Sequence, residues 1–315
     1  MRTGRIARAV KLADLSRSQL QRRLADTGLS IRTGPVVSRI RSRLPAVVEG
    51  ITLHYAHHPV LESDEFADFD VRVDRPQGWR RWWRPQVEFR VDGEAPFAPL
   101  PGDQGFPMLE WGLNWCITSH CHQFLILHAA VVERDGHAMI LPAPPGSGKS
   151  TLCAGLIHRG WRLLSDELAV IDPATLELLP IPRPVSLKNG SIDVIRAWAP
   201  EAAFGPVVRE TNKGAVAHCR PPVEAVASAD RRATTAWIVL PKWIPGAEAR
   251  LTALSNAQSM MRLIDNAFNY NVHGAVGFQT LADLVERSRS YEFEYASLDD
   301  AVRCLGGLPI PEHAT

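Results

Sequence analysis

Residues 143–151, Ala-Pro-Pro-Gly-Ser-Gly-Lys-Ser-Thr, constrain the fold of this chain more than any other feature. The apolar run 139–141 precedes them, and residues 150–159 have a helical pattern. Gly146 and Gly148 let backbone N–H groups turn inward without Cβ clashes, and a helix N-terminus adds partial positive charge. A strand, a glycine-rich loop and a helix in this order predict a phosphate-binding loop in an α/β fold.

Three polar residues of this segment have predicted contacts. Lys149 is expected to reach the β- and γ-phosphate oxygens, Ser150 to supply a hydroxyl to Mg²⁺, and Thr151 to bond the α-phosphate. The sequence therefore predicts ATP and Mg²⁺ as ligands, with GTP left open. The predicted nucleotide-binding residues are Pro145, Gly146, Ser147, Gly148, Lys149, Ser150 and Thr151.

An acidic pair, Asp166-Glu167, closes an apolar strand-like run 17 residues after Lys149. One carboxylate would hold Mg²⁺, and the second would take a proton from an attacking hydroxyl or water. Adjacent side chains on a regular strand point to opposite faces, so only one of the two would face the phosphates. The alternative is that Glu167 is a surface residue beyond a metal-binding aspartate.

The stretch from Leu127-His128 through the loop to residues 159–167, Arg-Gly-Trp-Arg-Leu-Leu-Ser-Asp-Glu, resembles the C-terminal kinase domain of bacterial HPr kinase/phosphorylase. Within that superfamily it is most similar to the HPr-kinase-related kinase A group. The resemblance is good over 124–175. It implies that Ser150 and Asp166 bind the metal and that His128 lies near the acidic pair. It also implies a base in this pair, leaving open whether Glu167 or Asp166 takes that role.

The Glu-x-Arg-Gly-x-Gly signature of that family is absent in that form. Residues 209–218 stand in a comparable place, and we expect a mobile loop that brings Lys213, with Arg209, to the γ-phosphate. An ordinary surface loop is the alternative. Because this segment departs from the family, HPr itself is not inferred as substrate. Spacing alone also suggests Arg183 and Lys188 near the phosphates or the acceptor.

Lysine is scarce in this chain, because only five of its 35 basic residues are lysine. Each remaining lysine is therefore expected at a position that needs a compact ammonium group and not merely a positive charge. The lysines are Lys11, Lys149, Lys188, Lys213 and Lys242. Three of these five lie in segments that we assign to the phosphates or their vicinity.

Charge is segregated within the near-neutral total of +1, since residues 1–44 carry 11 basic side chains and two aspartates. Leucines near helical spacing predict a basic helical arm over 1–45. This arm would either pack on the body or dock on an acidic partner, nucleic acid or an anionic membrane. There is no basic–aromatic RNA signature, so nucleic acid is not favoured.

The region 46–122 is expected to form an accessory α+β region. Period-two alternation predicts strands at 51–55, 69–73 and 87–91, and an apolar pattern predicts a helix at 107–120. The Trp-Arg-Arg-Trp-Trp-Arg cluster at 79–84 suggests either a ligand-gripping cation–π surface or a strand with its indoles packed inward.

The resemblance implies an α/β P-loop kinase core of the HPr kinase/PEP-carboxykinase type over 123–315. The implied activity is phosphoryl transfer from ATP to a hydroxyl, foremost Ser of a protein or peptide, with a small hydroxylated molecule as the other acceptor class. Two alternatives stay open: an ATP-binding sensor with little turnover, and a phosphorylase or hydrolase using the same site. A homo-oligomer is left open as well.

A cytoplasmic location is expected from three features of the sequence. There is no uncharged apolar stretch of about 18 residues, so no membrane span is predicted. No apolar signal segment follows Met1. The five cysteines are too few for a disulfide scaffold and suit a reducing compartment.

Overall fold

The computed structural model describes residues 10–62, 64–76 and 85–311. The chain divides into two compact units, residues 1–113 and 114–315, and the division falls within the helix α3 (Gly105–His120). The predicted boundaries at 45 and 122 thus differ from this division. The Trp/Arg cluster at 79–84 and the first nine residues of the predicted arm lie outside the described residues.

The first unit is built on a mixed sheet with helices. Its strands are β1 (Leu29–Thr33), β2 (Val36–Arg41), β3 (Val60–Leu61), β4 (Phe69–Asp74), β5 (Gln86–Val91) and β6 (Leu100–Pro101). Its further helices are α1 (Arg17–Ala25) and α2 (Pro45–His54). The strand order is β3-β1-β2-β4-β5-β6, and the β2–β4 pair is parallel while the other pairs are antiparallel.

The predicted helical arm over 1–45 is wrong for much of its described length. Only a short 3-10 turn at Leu12–Asp14 and α1 are helical before α2 begins, and β1 and β2 form a hairpin. Gly34 provides the positive φ of the hairpin turn, ahead of Pro35. The basic residues of β2 contact their own unit, because Arg39 donates to Glu65 O and Arg41 forms an ion pair with Asp70.

The predicted strand at 51–55 is also wrong, because residues 51–54 form the last turn of α2. Pro45 occupies the first turn of this helix, where its fixed φ is favourable. The buried side chains of Val47, Val48 and Ile51 recur at helical spacing, and this longer pattern outweighs the local alternation. The predicted strands at 69–73 and 87–91 are confirmed by β4 and β5, and the predicted helix at 107–120 is confirmed by α3.

The second unit has a larger mixed sheet. Its strands are β7 (Leu125–Arg134), β8 (His137–Pro142), β9 (Arg162–Ser165), β10 (Leu168–Ile171), β11 (Leu178–Leu179), β15 (Thr234–Trp243), β16 (Arg250–Ala253) and β17 (Arg289–Tyr295). The order is β11-β10-β7-β8-β15-β17-β16, and β9 pairs with β7. The β8–β15 and β15–β17 pairs are parallel, and the others are antiparallel.

Helices and a small separate sheet complete this unit. The helices are α4 (Lys149–Ile157), α5 (Gly190–Trp198), α6 (Val223–Ala227), α7 (Asn256–Asp265), α8 (Tyr270–His273), α9 (Ala275–Arg287) and α10 (Leu298–Gly306). The small sheet joins β12 (Val185–Lys188), β13 (Val208–Thr211) and β14 (Gly214–Cys219) in the order β12-β14-β13. The described chain is therefore mixed α/β.

Both faces of the large sheet are covered by apolar side chains, as the uninterrupted apolar runs predict. Along β7, Ala130 and Val132 join one buried cluster with residues of α4 and α10. The alternate residues Ala129 and Val131 join a second cluster with residues of α7 and α9. This packing holds the adjoining ends of β7 and β8 in place. No helix in the described ranges has the length and apolarity that a membrane crossing requires.

Candidate active site

The segment 143–148, called the glycine loop below, connects β8 to α4 as the sequence predicts. Gly146 and Gly148 have φ values of +88° and +90°, which L side chains rarely adopt. Gly148 is the N-cap of α4, and no side chain caps this end of the helix. The first N–H groups of an α-helix have no intrahelical acceptor, so those of Lys149, Ser150 and Thr151 are donors for a ligand here, whereas the Ser147 N–H donates to Pro144 O.

Two strand ends hold the glycine loop in shape. The Trp243 N–H at the end of β15 donates to Ser147 O at 2.9 Å, and the Tyr295 hydroxyl of β17 donates to Gly148 O at 3.1 Å. A Cβ on Gly148 would come within 2.5 Å of that hydroxyl. The loop is thus preorganised by contacts that only glycine permits at this position.

Four charged or titratable side chains converge beside the loop, and they are called the lysine–carboxylate cluster below. Lys149 Nζ lies 2.9 Å from His128 Nε2, and this nitrogen lies 3.2 Å from Glu167 Oε2. Lys188 Nζ lies 3.8 Å from Glu167 Oε1. These side chains come from α4, β7, the β9–β10 connection and β12, so the fold gathers distant segments at one point.

The two contacts of His128 Nε2 compete with each other. A protonated Nε2 donates to Glu167 but cannot accept from the Lys149 ammonium, and a deprotonated Nε2 does the reverse. One ring nitrogen therefore cannot satisfy both neighbours. An anion that drew Lys149 toward the glycine loop would leave His128 free to donate to Glu167.

The acidic pair lies at a bend between β9 and β10 and not on a strand, which corrects the prediction that the pair closes a strand. Because the chain bends here, both carboxylates lie in the site, and each has different partners. Glu167 reaches His128 and Lys188, whereas Asp166 is buried and its Oδ2 accepts the Ser186 N–H at 3.0 Å. Glu167 is consequently part of the cluster and not an isolated surface residue.

The local electrostatics shift the pKa values of the two carboxyl groups in opposite directions. Burial and the nearby Glu167 charge raise the pKa of Asp166 to about 6, against the opposing pull of Lys149. Burial also pushes the pKa of Glu167 upward, but the hydrogen bond from His128 and the charges of Lys149 and Lys188 lower it well below its usual range. Divergent pKa values in neighbouring acids are typical of functional sites.

The predicted loop at 209–218 is a hairpin over most of its length, with Lys213 at the turn between β13 and β14. Burial and the charge of Lys188 lower the pKa of Lys213, while the charge of Glu167 raises it. Lys213 therefore lies within electrostatic range of the lysine–carboxylate cluster. Arg209 is exposed on β13, and within the described ranges it makes no contact with that cluster.

Asn189, which sequence reasoning missed, ties Lys188 to this hairpin. Its N–H donates to Ala215 O at 2.8 Å, and its Oδ1 accepts the Ala215 N–H at 3.1 Å. Its backbone has φ +53° and ψ −131°, a conformation that normally requires glycine. Strain of this kind persists only where the surroundings enforce it, and here it sets Lys188 beside the turn that carries Lys213.

One observation fits the predicted metal site: Asp166 Oδ1 is buried and has no hydrogen-bond partner among the described residues. A hard cation would satisfy this oxygen. Ser150 is half-buried in the first turn of α4. Within the described ranges no three His, Cys, Asp or Glu side chains group around a common point. Mg²⁺ in phosphoryl-transfer sites needs only one or two carboxylates, because phosphate oxygens and water complete its coordination.

Sequence reasoning also missed Ser186, Trp243 and Tyr295. The scarcity of lysine had singled out Lys188, but no comparable signal marks these three positions. Neither a scan against models of protein families nor a search of curated proteins finds a match to this chain. The geometry thus defines a mixed α/β protein with a preorganised glycine loop beside a cluster of lysines and carboxylates.

Proposed function

We propose that this chain is an ATP- and Mg²⁺-dependent kinase, with a P-loop kinase core of the HPr kinase/PEP-carboxykinase type. The acceptor is a hydroxyl, with Ser of a protein or peptide as the first candidate and a small hydroxylated molecule as the second. The convergence of Lys149, His128, Glu167 and Lys188 beside the glycine loop carries this proposal. Phosphoryl transfer requires positioning and charge stabilisation above all, and this cluster supplies both.

The lysines neutralise charge on the transferred group. Lys149 turns from His128 to the β- and γ-phosphate oxygens, and Lys188 and Lys213 approach the γ-phosphate from the small sheet. Ser150 and Asp166 would hold Mg²⁺, which when bound offsets the negative charge of the phosphates. Fixed charges in a water-poor site need no reorganisation during the reaction, which makes them effective.

Glu167 is the proton acceptor in this proposal. Its side chain is 23% exposed, whereas Asp166 is 4% exposed and already bonded to the Ser186 N–H. The acceptor oxygen forms a bond to the γ-phosphorus as the bond from that phosphorus to the β–γ bridging oxygen breaks. The hydroxyl proton passes to Glu167, and ADP leaves with the bridging oxygen.

The test is transfer of label from γ-labelled ATP to a set of Ser-containing peptides and a set of polyols. Wild-type protein should label one acceptor class, and Lys149→Ala should lose the transfer. The matched control is Lys242→Ala, because Lys242 is an exposed lysine of β15 outside the cluster. Equal labelling by wild type and Lys149→Ala would contradict the proposal.

A nucleotide sensor with little turnover is the second candidate, and the lowered pKa of Glu167 favours it. A carboxylate that is held ionised by His128 and two lysines is a weak base. Glu167→Gln distinguishes the two functions. A kinase should lose turnover and keep ATP binding, whereas a sensor should keep both its binding and its response to the partner.

A further inference from the structure

The strand order of the large sheet indicates on which side of β8 each end of a bound nucleotide would lie, and this inference rests on the proposed function. The glycine loop follows β8, which lies between β7 on one side and β15 on the other. His128 lies on β7, and Glu167 precedes β10, the next strand on that side. A γ-phosphate at the lysine–carboxylate cluster, as the proposed function requires, would lie on the β7 side of the glycine loop, and the nucleoside would then extend toward β15 and β17.

Trp243 stands at this opposite end. It is 50% exposed, although its backbone N–H donates to Ser147 O within the glycine loop. Its Nε1–H donates to Ala296 O at 3.1 Å, which fixes the indole. A Cβ placed on Gly148 would lie 3.0 Å from Trp243 Cβ, so the residue borders the loop directly.

These contacts leave a large apolar ring oriented by its only hydrogen-bond donor and exposed beside the loop. Half of this residue is accessible to a ligand, at the border of the glycine loop. Aromatic faces stack on nucleobases regardless of their hydrogen-bonding edges.

We propose that Trp243 stacks on the base of the bound nucleotide. Stacking recognises the π-face of a purine, so this contact favours a nucleotide over an inorganic polyphosphate without choosing between adenine and guanine. Removal of one stacking aromatic typically weakens binding about tenfold or more.

The experiment measures the dissociation constants of Mg²⁺-ATP and of Mg²⁺-tripolyphosphate by titration calorimetry. Wild type, Trp243→Ala and Trp243→Phe are compared, with Phe278→Ala as the control because Phe278 is an exposed aromatic of α9. Trp243→Ala should weaken ATP binding about tenfold and leave tripolyphosphate binding unchanged. Trp243→Phe should recover most of the loss, and Phe278→Ala should bind both ligands as wild type does.

Two results would overturn the inference alone. Unchanged ATP affinity in Trp243→Ala would show that no base stacks there. Equal weakening of ATP and tripolyphosphate would show that Trp243 only shapes the glycine loop. Failure of the wild type to bind either ligand would instead overturn the proposed function, and the inference with it.

Discussion

Strand β7 contributes one side chain to each of two different polar clusters. Near its start, His128 takes part in the lysine–carboxylate cluster, and near its end Glu133 pairs with Arg162. Glu133 is buried, and both of its oxygens accept hydrogen bonds, from Arg162 Nε and from the Gly136 N–H. Arg162 in turn donates to the carbonyl oxygens of Ser228 and Arg231.

The two groups differ in whether their acidic and imidazole side chains find all of their hydrogen-bond partners within the protein. Both oxygens of the Glu133 carboxylate are bonded within the protein, and Arg162 Nη2 is the one atom of this pair that is buried without a hydrogen-bond partner among the described residues. The pair joins segments of its own unit, and we assign it to structure. The lysine–carboxylate cluster contains a His128 ring nitrogen with two incompatible neighbours, and in the described part of the chain the nearby Asp166 Oδ1 is buried without a hydrogen-bond partner. Buried polar groups left unpaired in this way are costly unless a ligand or ion completes them.

After Lys149→Ala, the largest effect is expected for Lys188→Ala, which removes a positive charge from the lysine–carboxylate cluster. Phosphoryl transfer should fall about 10³-fold, as for the loss of one transition-state donor. Steady-state kinetics with γ-labelled ATP measures this change. Lys188→Arg should recover only part of the rate, because a planar guanidinium does not replace a compact ammonium. Full activity in Lys188→Ala would remove Lys188 from the site.

Glu133→Ala should lower stability and leave the site intact, because it breaks the structural Glu133–Arg162 pair. Leaving the Arg162 charge buried without its partner should lower the free energy of unfolding by about 3 kcal/mol. Urea titration measures the loss, and ATP affinity at low temperature should stay as in wild type. Glu133→Gln keeps an acceptor for Gly136 and should cost less. A loss of ATP affinity without a loss of stability would contradict the assignment of this pair to structure.

Glu167→Gln should lower the turnover number about 10²-fold, the typical contribution of one proton-transfer group. The affinity for ATP should stay constant or improve, since a negative charge beside the phosphates is removed. Calorimetry and single-turnover kinetics separate these quantities. Glu177→Gln is the control, because Glu177 pairs with Arg232 at the surface. Parallel loss of affinity and turnover would argue against a role in chemistry.

The smallest effect concerns Asn189. Asn189→Gly removes the side-chain bond to Ala215 but relieves the strained backbone, so stability should change by no more than about 1 kcal/mol. Turnover should still fall several-fold, because the turn that carries Lys213 loses an anchor. Asn189→Ala keeps the strain and should be the less stable variant by about 1 kcal/mol. Unchanged turnover in both variants would show that the anchor does not matter.

The local parts of the site could be predicted from sequence because their signals are local. The apolar run 139–141, the glycines of the loop and the helical run after them predict β8, the glycine loop and α4. Errors arose where two short patterns overlap. The apolar run around Asp166 looks like one strand, but the chain bends there, and residues 51–55 alternate locally although they end a helix.

The remaining parts depend on contacts between segments far apart in the chain. Nothing near Asn189 shows that it pairs with Ala215, and nothing near Trp243 shows that it borders the glycine loop. Lys188 was suggested by spacing and by the scarcity of lysine, but only the fold places it 3.8 Å from Glu167. Such contacts follow from strand order, which the sequence pattern does not define.

The most direct test is calorimetric titration of Mg²⁺-ATP into wild type, Lys149→Ala and Glu133→Gln at a temperature where all three are folded. The lysine–carboxylate cluster predicts binding by wild type and by Glu133→Gln with similar affinity, and a loss of at least about tenfold in Lys149→Ala. Equal affinity in all three proteins, or no binding to the wild type, would contradict the claim that the lysine–carboxylate cluster belongs to a nucleotide site.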